Sequence, residues 1–275
     1  MARMAARKLP SNLLERLVPI LLLASIILAF VVGVLWQKVS SLEKGGSSAG
    51  VSGTQTTGAQ AQPTRAPVSL DLIKGIFKGE VVKFGDENKK LLFVEVADPS
   101  CPYCHIAAGL NPELNSQVGD RFKLVSDGGN YVAPVIEMKK LVDQGKAAFA
   151  WIYSPGHGNG EMGTKALYCA NEKGKFWEAH DLLMTNKGYD LLNNTVKNDK
   201  TKSQELANFL ASAVDSSSLK TCLDSGKYDK RLQDDIALAQ SLGVNGTPGF
   251  FVNSQAFAGA YSFTDMQSAV NQALQ

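Results

Sequence analysis

The chain has 275 residues, of which 44% are hydrophobic and 20% charged, a composition typical of a globular protein rather than a disordered or collagen-like one. Its formal charge of +2 is unevenly spread. Residues 1–66 contain seven basic and two acidic residues, whereas residues 67–275 contain 21 basic and 24 acidic residues. The larger part is mildly acidic, which excludes a nucleic-acid-binding surface as the explanation of the basic excess.

An uncharged apolar run, Leu17–Trp36, follows a basic tail at residues 1–16. At about 1.5 Å per residue this run could cross a hydrocarbon core roughly 30 Å thick. The surrounding basic residues predict a cytoplasmic tail and an extracytoplasmic body, because positive charge stays on the cytoplasmic side. A cleaved signal peptide is the alternative, although its apolar core would usually be about 7–15 residues long. We expect an uncleaved, single-pass anchor in the cell membrane.

Residues 37–66 are rich in Gly, Ser, Thr, Ala and Gln and have few large apolar side chains. Such a segment buries too little surface to offset the entropy cost of ordering it, so it predicts a flexible linker. The functional domain is therefore expected at residues 67–275, outside the cytoplasm, where disulfides can persist.

The first strongly apolar segment of this domain, Leu91–Ala97, predicts a strand that is buried on both faces. Val81–Phe84 predicts a shorter partner strand before it. After a break at residues 98–100, the sequence predicts a helix with Ser100 as its N-cap and Pro102 in its first turn.

Further along, Pro134–Val142 predicts a helix and Ala147–Tyr153 a second buried strand, an order that indicates a parallel pair of strands. A helical insertion is expected over about residues 160–242. Its expected breaks are at Gly174, Gly188, Asn193-Asn194, Ser216–Ser218 and Gly226. The chain then predicts a hairpin formed by Gly249–Asn253 and Gln255–Gly259, followed by an amphipathic helix, Phe263–Leu274.

The motif Cys101-Pro-Tyr-Cys104 lies at the predicted strand-to-helix junction. Free backbone N–H groups and the helix dipole favour an anion at a helix N-terminus. Cys101 is therefore expected to be the exposed, nucleophilic thiolate with a low pKa, and Cys104 the shielded partner. Two sulfurs at this spacing can form a reversible two-electron couple.

Three other interpretations of the motif stay open. A zinc site needs about four ligands, and no second pair follows. Cys101–His105 also matches the CxxCH signature of covalent haem attachment, which would make the protein an electron carrier. A purely structural disulfide would close a very short loop and constrain the unfolded chain little. We expect neither a metal nor a cofactor.

Glu95 is a lone carboxylate within the apolar strand. Burial of a charged carboxylate is costly, so its pKa should be high if the side chain is inside. The alternative is a side chain that points to solvent from an edge strand.

Together, the Cys101–Cys104 motif, the helical stretch and the segment at residues 243–253 (GVNGTPGFFVN) resemble the DsbA-type branch of the thioredoxin superfamily over roughly residues 80–275. The resemblance implies an α/β, thioredoxin-like fold with a helical insertion. It also implies that Pro248, after Thr247, follows a cis peptide bond and faces the cysteines; a plain trans turn is the alternative.

The resemblance further implies residue roles. Cys101, Cys104 and Pro248 would be catalytic, and Glu95 would accept the proton of Cys104. The residues expected to contact the substrate are Thr247, Pro102, Tyr103 and His105. His105, which directly follows the motif, could instead tune the thiolate or lie on an exposed face of the helix.

Cys169 and Cys222 stand 53 positions apart in the predicted insertion. In an oxidising compartment two such cysteines commonly pair, and some DsbA-like relatives have a second bridge. We therefore expect a structural disulfide, with two buried free thiols as the alternative.

These features predict a membrane-anchored thiol:disulfide oxidoreductase that passes its disulfide to folding proteins. Its expected partners are extracytoplasmic protein thiols and a membrane redox protein that reoxidises Cys101 and Cys104. The Pro-Tyr dipeptide, the following His105 and Thr247 also resemble disulfide isomerases of this fold, so an isomerase or reductase stays open. Because an isomerase-type N-terminal dimerisation domain is lacking, we expect a monomeric oxidase. An anchored binding module of the same fold is a further alternative.

Overall fold

The computed structural model describes residues 68–275. The predicted tail, membrane helix and linker (residues 1–66) lie outside these residues. In the described range, no helix is both long and apolar enough to cross a membrane.

The described residues form five strands and eleven α-helices. The strands are β1 (Val82–Phe84), β2 (Leu91–Ala97), β3 (Ala147–Tyr153), β4 (Gly249–Val252) and β5 (Gln255–Ala258). The helices are α1 (Leu70–Lys78), α2 (Pro102–Ala108), α3 (Pro112–Gln117), α4 (Pro134–Asp143), α5 (Glu161–Asn171), α6 (Phe176–Leu183), α7 (Asn186–Asp190), α8 (Ser203–Phe209), α9 (Ser216–Asp224), α10 (Asp229–Ser241) and α11 (Phe263–Leu274).

The sheet has the strand order β1-β3-β2-β4-β5, with β2 at its centre. β2 and β3 are parallel, as predicted, and the other neighbours are antiparallel, so the sheet is mixed. β1 is not the partner of β2 as expected: it pairs with β3, where Val82 lies opposite Trp151. The reason is that β3 and β4 occupy both edges of β2.

The two faces of β2 are covered by different parts of the chain. Leu92, Val94 and Val96 pack with α1 and α10, around residues such as Ile73 and Leu242. Leu91 and Phe93 face the larger core that α2, α4 and the insertion helices share. Because side chains alternate along a strand, Glu95 points to the same side of the sheet as α2.

The insertion is helical, and it ends helices at Gly174 and Gly226, which adopt φ values of 65° and 68° as predicted for breaks. Gly188 is not a break: it lies inside α7, where an added Cβ would come within 2.2 Å of the carbonyl oxygen of Leu183. Close packing therefore explains this glycine.

The expected break at Asn193-Asn194 is also wrong. Both residues continue the helix through a π-helical turn, Leu191–Val196. The chain turns instead at Lys197 and Asn198, whose φ values are 45° and 62°. Asparagine tolerates this left-handed region because its short amide side chain can bond locally.

Candidate active site

The cysteine motif lies where β2 ends and α2 begins. Cys101, rather than Ser100, is the N-cap of α2, and its carbonyl oxygen accepts hydrogen bonds from the backbone N–H groups of Cys104 and His105 at 3.1 and 3.2 Å. The prediction for Ser100 is wrong because its hydroxyl group donates to Asp98 Oδ1 at 2.7 Å instead. Pro102 occupies the first helical position, as expected.

Cys101 is less accessible than its predicted role suggests, since only 4% of the residue is exposed. Its Sγ lies 3.4 Å from the carbonyl oxygen of Thr247, to which the protonated thiol donates. Gly156 approaches from the other side, close enough that an added Cβ would lie 3.4 Å from Cys101 Cβ. The exposed sulfur expected from the helix end is therefore wrong, because two loops cover it.

The pKa of Cys101 is lowered to about 6, the direction expected from the sequence. The largest cause is a hydrogen bond from the Cys104 thiol, which stabilises the thiolate. The backbone N–H groups of Tyr103 and Cys104 act in the same direction, while burial opposes them. A large part of Cys101 is thus thiolate at neutral pH.

Cys104 is fully buried, and burial raises its pKa well above the ordinary range. The neighbouring Cys101 thiolate and, more weakly, Glu95 raise it further, while the backbone N–H of Asp98, 3.4 Å from Sγ, acts in the opposite direction. The two thiols therefore differ in acidity in the direction that the sequence predicts, although both are buried.

Glu95 lies on the central strand and is only 1% exposed, so the solvent-facing alternative is wrong. In the sheet register it stands between Trp151 of β3 and Phe250 of β4. Neither carboxylate oxygen has a hydrogen-bond partner among the described residues. Burial raises the pKa of Glu95 to about 8, so the group is mostly protonated at neutral pH.

The Thr247–Pro248 peptide bond is cis and lies beside Cys101, as the resemblance implies. Pro248 is buried, and its carbonyl oxygen accepts a hydrogen bond from Gly259 N at 2.8 Å. Thr247 is half-buried, and its hydroxyl oxygen has no partner among the described residues. The backbone on either side of this bond is thus fixed next to the reactive sulfur.

The other residues expected to contact substrate have different surroundings. Tyr103 is 44% exposed, and its ring packs edge-on against Phe122. Pro102 is partly exposed beside it. Both can meet a molecule that approaches Cys101.

His105 cannot contact a substrate, because it is fully buried. Its Nδ1 lies 3.0 Å from the carbonyl oxygen of Met184, and its Nε2 lies 2.8 Å from that of Pro99. Burial lowers its pKa to about 4. The substrate-binding role and the exposed alternative are both wrong, since the side chain joins α2 to the end of α6.

This arrangement also bears on haem. An iron ligand must direct a ring nitrogen at the metal, whereas both nitrogens of His105 face carbonyl oxygens. The residues present therefore do not fit a haem attached through the CxxCH sequence. In residues 68–275, no group of three or more His, Cys, Asp or Glu side chains comes together as a metal site.

Cys169 of α5 and Cys222 of α9 form a disulfide with a Cα–Cα distance of 6.1 Å. The predicted pairing is confirmed, and the alternative of two free thiols is wrong. Cys101 and Cys104 are free thiols in this structure.

Sequence reasoning missed Asp98, which it treated only as part of a break. This residue is fully buried, and its carboxylate accepts four hydrogen bonds. The donors are Ser100 N, Ser100 Oγ, Gly156 N and His157 N. The available signal was an acidic residue between a fully buried strand and the cysteine motif, where a charge needs several partners.

Two solved structures are similar to this chain. Oxidised BdbD from Bacillus subtilis is 18% identical, with a TM-score of 0.47 over 76% of this chain and 96% of that one. Alpha-DsbA1 from Wolbachia pipientis is 17% identical, with a TM-score of 0.52 over 71% of this chain and 91% of that one. At this identity the likeness to alpha-DsbA1 concerns the fold alone.

Among curated proteins, the chain is 26% identical over 193 residues to Na(+)/H(+) antiporter NhaA 3 from Salinispora tropica. It is 25% identical over 196 residues to Na(+)/H(+) antiporter NhaA 1 from Salinispora arenicola. The matches cover 69% of this chain, which spans about a quarter of the length of these relatives.

A family model described as Thioredoxin matches residues 135–272, half of the chain. The matched region begins after the two free cysteines and contains β3, the insertion, the cis-proline and the terminal hairpin. The α/β fold, with its mixed sheet, agrees with this match. The chain therefore belongs to the thioredoxin family.

Proposed function

We propose that this protein is an extracytoplasmic thiol:disulfide oxidoreductase that passes a Cys101–Cys104 disulfide to the thiols of folding proteins. The observation that carries this proposal is the opposite perturbation of two neighbouring thiols, one with a pKa of about 6 and one raised well above its usual range. Perturbed pKa values of this kind are typical of functional sites.

In the proposed reaction, a substrate thiolate attacks Cys101 Sγ of the oxidised pair. The Cys101–Cys104 bond breaks, a mixed disulfide forms between substrate and Cys101, and Cys104 leaves as a thiolate. Glu95, mostly protonated at neutral pH, can supply the proton that this thiolate needs because the pKa of Cys104 is the higher one. Glu95 would take that proton back in the reductive direction.

The second step releases the product. Another thiolate of the substrate attacks the substrate sulfur of the mixed disulfide, so that a substrate disulfide forms and Cys101 leaves as a thiolate. The substrate loses two electrons and the protein gains them. A low pKa makes Cys101 a good leaving group and stabilises the reduced protein, which favours net oxidation over reduction.

The site also has a place for an extended substrate. The backbone beside the cis bond lies next to the Cys101 sulfur, and a peptide could pair with it as an added strand. Exposed Tyr103 and partly exposed Pro102 border the same position. Protein thiols are therefore the substrate class that we propose.

The location proposed for this activity follows from the sequence. The apolar run at residues 17–36 and the basic excess around it support a single-pass anchor with a cytoplasmic N-terminus. A membrane redox protein would then reoxidise the pair, with the domain acting as a monomer. Protease added to intact spheroplasts should remove the domain, whereas a protected domain would contradict this topology.

The deciding experiment compares two measurements on the same protein. The reduction potential of the Cys101–Cys104 couple should be oxidising, and the oxidised protein should introduce disulfides stoichiometrically into a reduced, unfolded test protein. Preferential repair of a scrambled test protein would instead assign an isomerase. Inactivity of the wild-type protein in both assays would leave an anchored binding module as the better interpretation.

A further inference from the structure

A short segment after β3, residues 154–160 (SPGHGNG), lies over the active site; we call it the glycine-rich loop. Its backbone N–H groups donate hydrogen bonds to the residues that precede Cys101. Gly156 N and His157 N donate to Asp98 Oδ2 at 2.7 and 3.0 Å, and Asn159 N donates to Ser100 Oγ at 3.2 Å. Every one of these acceptors lies within three residues of Cys101.

Asp98 links this loop to the cysteines. While its Oδ2 binds the loop, its Oδ1 accepts from the N–H and hydroxyl groups of Ser100, both at 2.7 Å. Its carbonyl oxygen accepts from Cys101 N at 2.9 Å, and its own N–H points to Cys104 Sγ at 3.4 Å. The buried carboxylate binds its four donors strongly, because the loss of any one of these hydrogen bonds would leave a buried negative charge with too few partners.

The helical insertion holds the loop from its other side. Asn198 Nδ2 donates to the carbonyl oxygen of Gly158 at 2.8 Å, and Asn198 Oδ1 accepts from Met162 N at 3.2 Å. Asn193 binds both Asn159 and the carbonyl oxygen of Ser100 at 3.1 Å. The turn after the π-helical segment therefore buttresses the loop.

The loop meets the cis-proline segment directly above the reactive cysteine. A Cβ added to Gly156 would lie 1.8 Å from Thr247 Oγ1, 3.1 Å from Thr247 Cβ and 3.4 Å from Cys101 Cβ. A side chain at position 156 would therefore require the loop or the Thr247 side chain to move. The same close approach accounts for the low exposure of Cys101.

We propose that the glycine-rich loop, which contacts Thr247 of the cis-proline segment, forms one wall of the substrate entrance to Cys101, and that Asp98 is the residue that positions this loop. The inference rests on the proposed function. In this arrangement the loop limits which molecules reach the Cys101 sulfur: a slender, extended chain can enter, whereas a bulky group is held away. Asp98 acts through the loop and does not itself touch the substrate.

The test measures access rather than turnover. In the reduced protein, the alkylation rate of Cys101 is measured with iodoacetamide and with a bulky maleimide, and peptide mass mapping identifies the modified cysteine. The ratio of the bulky to the small rate is compared among variants. A change of thiolate population affects both rates alike, so this ratio reports the width of the entrance.

Asp98→Asn should raise the ratio several-fold. If the amide NH₂ group took the place of Oδ2, it would face the backbone N–H groups of Gly156 and His157. If it took the place of Oδ1, the hydrogen bonds from Ser100 would be lost. Asn198→Gly should raise the ratio independently, since glycine keeps the left-handed turn but removes both side-chain bonds.

The matched control is Asp215→Ala, which removes a comparable carboxylate-to-backbone bond, to Ser218 N at 2.8 Å, at the N-cap of α9. It should lower stability without moving the ratio.

Gly156→Ala tests the contact with Thr247. The new methyl group should push the loop aside and raise the ratio, and the effect should shrink in a Thr247→Ala background, where the nearest remaining Thr247 atom is the Cβ. Equal effects in both backgrounds would contradict the contact.

Folded Asp98→Asn and Asn198→Gly proteins that both keep the wild-type ratio would overturn the proposal. Because alkylation requires no protein substrate, this result is separate from the proposed function. A protein that fails to oxidise any thiol could still show the change in access, and an active oxidase could fail to show it.

Discussion

Two pairs of cysteines occupy contrasting surroundings in this domain. Cys101 and Cys104 are free thiols at one helix end, whereas Cys169 and Cys222 form a disulfide between two helices of the insertion, 53 positions apart. In the first pair the thiol pKa values move in opposite directions. Spacing and local environment, rather than residue type, therefore separate the reactive pair from the structural one.

Loop length explains part of this contrast. A bridge across a four-residue segment removes little freedom from the unfolded chain, so the Cys101–Cys104 bond can open and close with little effect on folding. A bridge across 53 positions removes much more. The first pair is therefore suited to exchange and the second to stability.

The largest effect should come from removing one member of the reactive pair. Cys104→Ala should accumulate mixed disulfides between Cys101 and extracytoplasmic proteins. The Cys101 thiolate can still attack a protein disulfide and expel one of its sulfurs as a thiolate, but Cys104 is no longer present to resolve the new bond in the reductive direction. Cys101→Ala should trap nothing and reduce oxidation of a test protein to background. Reducible high-mass bands on non-reducing gels measure both. A reversed trapping pattern would contradict the assignment of Cys101 as the attacked sulfur.

The second-largest effect should be the difference between the two free thiols in the pH dependence of their alkylation. The pH dependence of Cys101 alkylation should have a midpoint near pH 6, whereas Cys104 should stay unreactive to well above pH 9. At pH 7 this gives Cys101 a thiolate fraction of about 0.9 against about 0.03 for an ordinary thiol. Unfolded protein is the control, and equal midpoints in the two states would be the contrary result.

Removal of the structural bridge should affect stability rather than chemistry. Replacing both Cys169 and Cys222 with Ala should lower the free energy of unfolding by about 3–4 kcal/mol, as expected for a loop of this length. The oxidation rate should stay close to that of the wild type. Denaturant titration and the test-protein assay measure the two quantities, and a large loss of rate in folded protein would show that the pairs are coupled.

A smaller effect should come from Glu95, through the pH dependence of the free energy of unfolding. The measurement uses oxidised protein, because Cys101 and Cys104 do not titrate when they form a disulfide. The carboxyl group has a pKa near 4.5 when unfolded and about 8 when folded, so the folded state binds more protons between these values. The free energy of unfolding should therefore fall as pH rises, by about 3 kcal/mol between pH 5 and pH 7.5. Glu95→Gln should remove that slope.

Exposed Glu80→Gln is the matched control for this experiment, because it makes the same chemical change outside the core. The Glu95→Gln variant should also slow the step in which Cys104 loses or gains its proton. A slope identical to that of the wild type would mean that Glu95 stays ionised in the folded protein.

Much of the fold could be predicted because its central elements carry strong local patterns. β2, β3 and α11 begin and end where the sequence indicates, since continuous apolar runs and a regular amphipathic period specify them. Weaker signals were missed. α1 was not predicted, although Ser69 caps it and Ile73 and Phe77 anchor it in the core.

The active site was predicted in its residues but less well in its surroundings. The cysteines, the cis-proline and Glu95 lie together as expected because motif and strand patterns are local in the sequence. The burial of Cys101 and His105 depends on segments 50 or more positions away, Gly156 and Met184 among them. Periodicity within one segment contains no information on such long-range contacts, and the role of Asp98 was invisible for the same reason.

The position of β3 and β4 on either side of β2 has a consequence for how this domain can vary. The chain leaves the sheet after Tyr153 and returns at Gly249, at the same end of the central strand. Nearly a hundred residues thus form an excursion whose two ends are already fixed by ladder hydrogen bonds. Segments of this excursion that lie far from the glycine-rich loop could be shortened, lengthened or exchanged without altering the strands that hold Cys101 and Pro248, provided that Cys169 and Cys222 are kept. This region is therefore a natural place for engineering new binding surfaces.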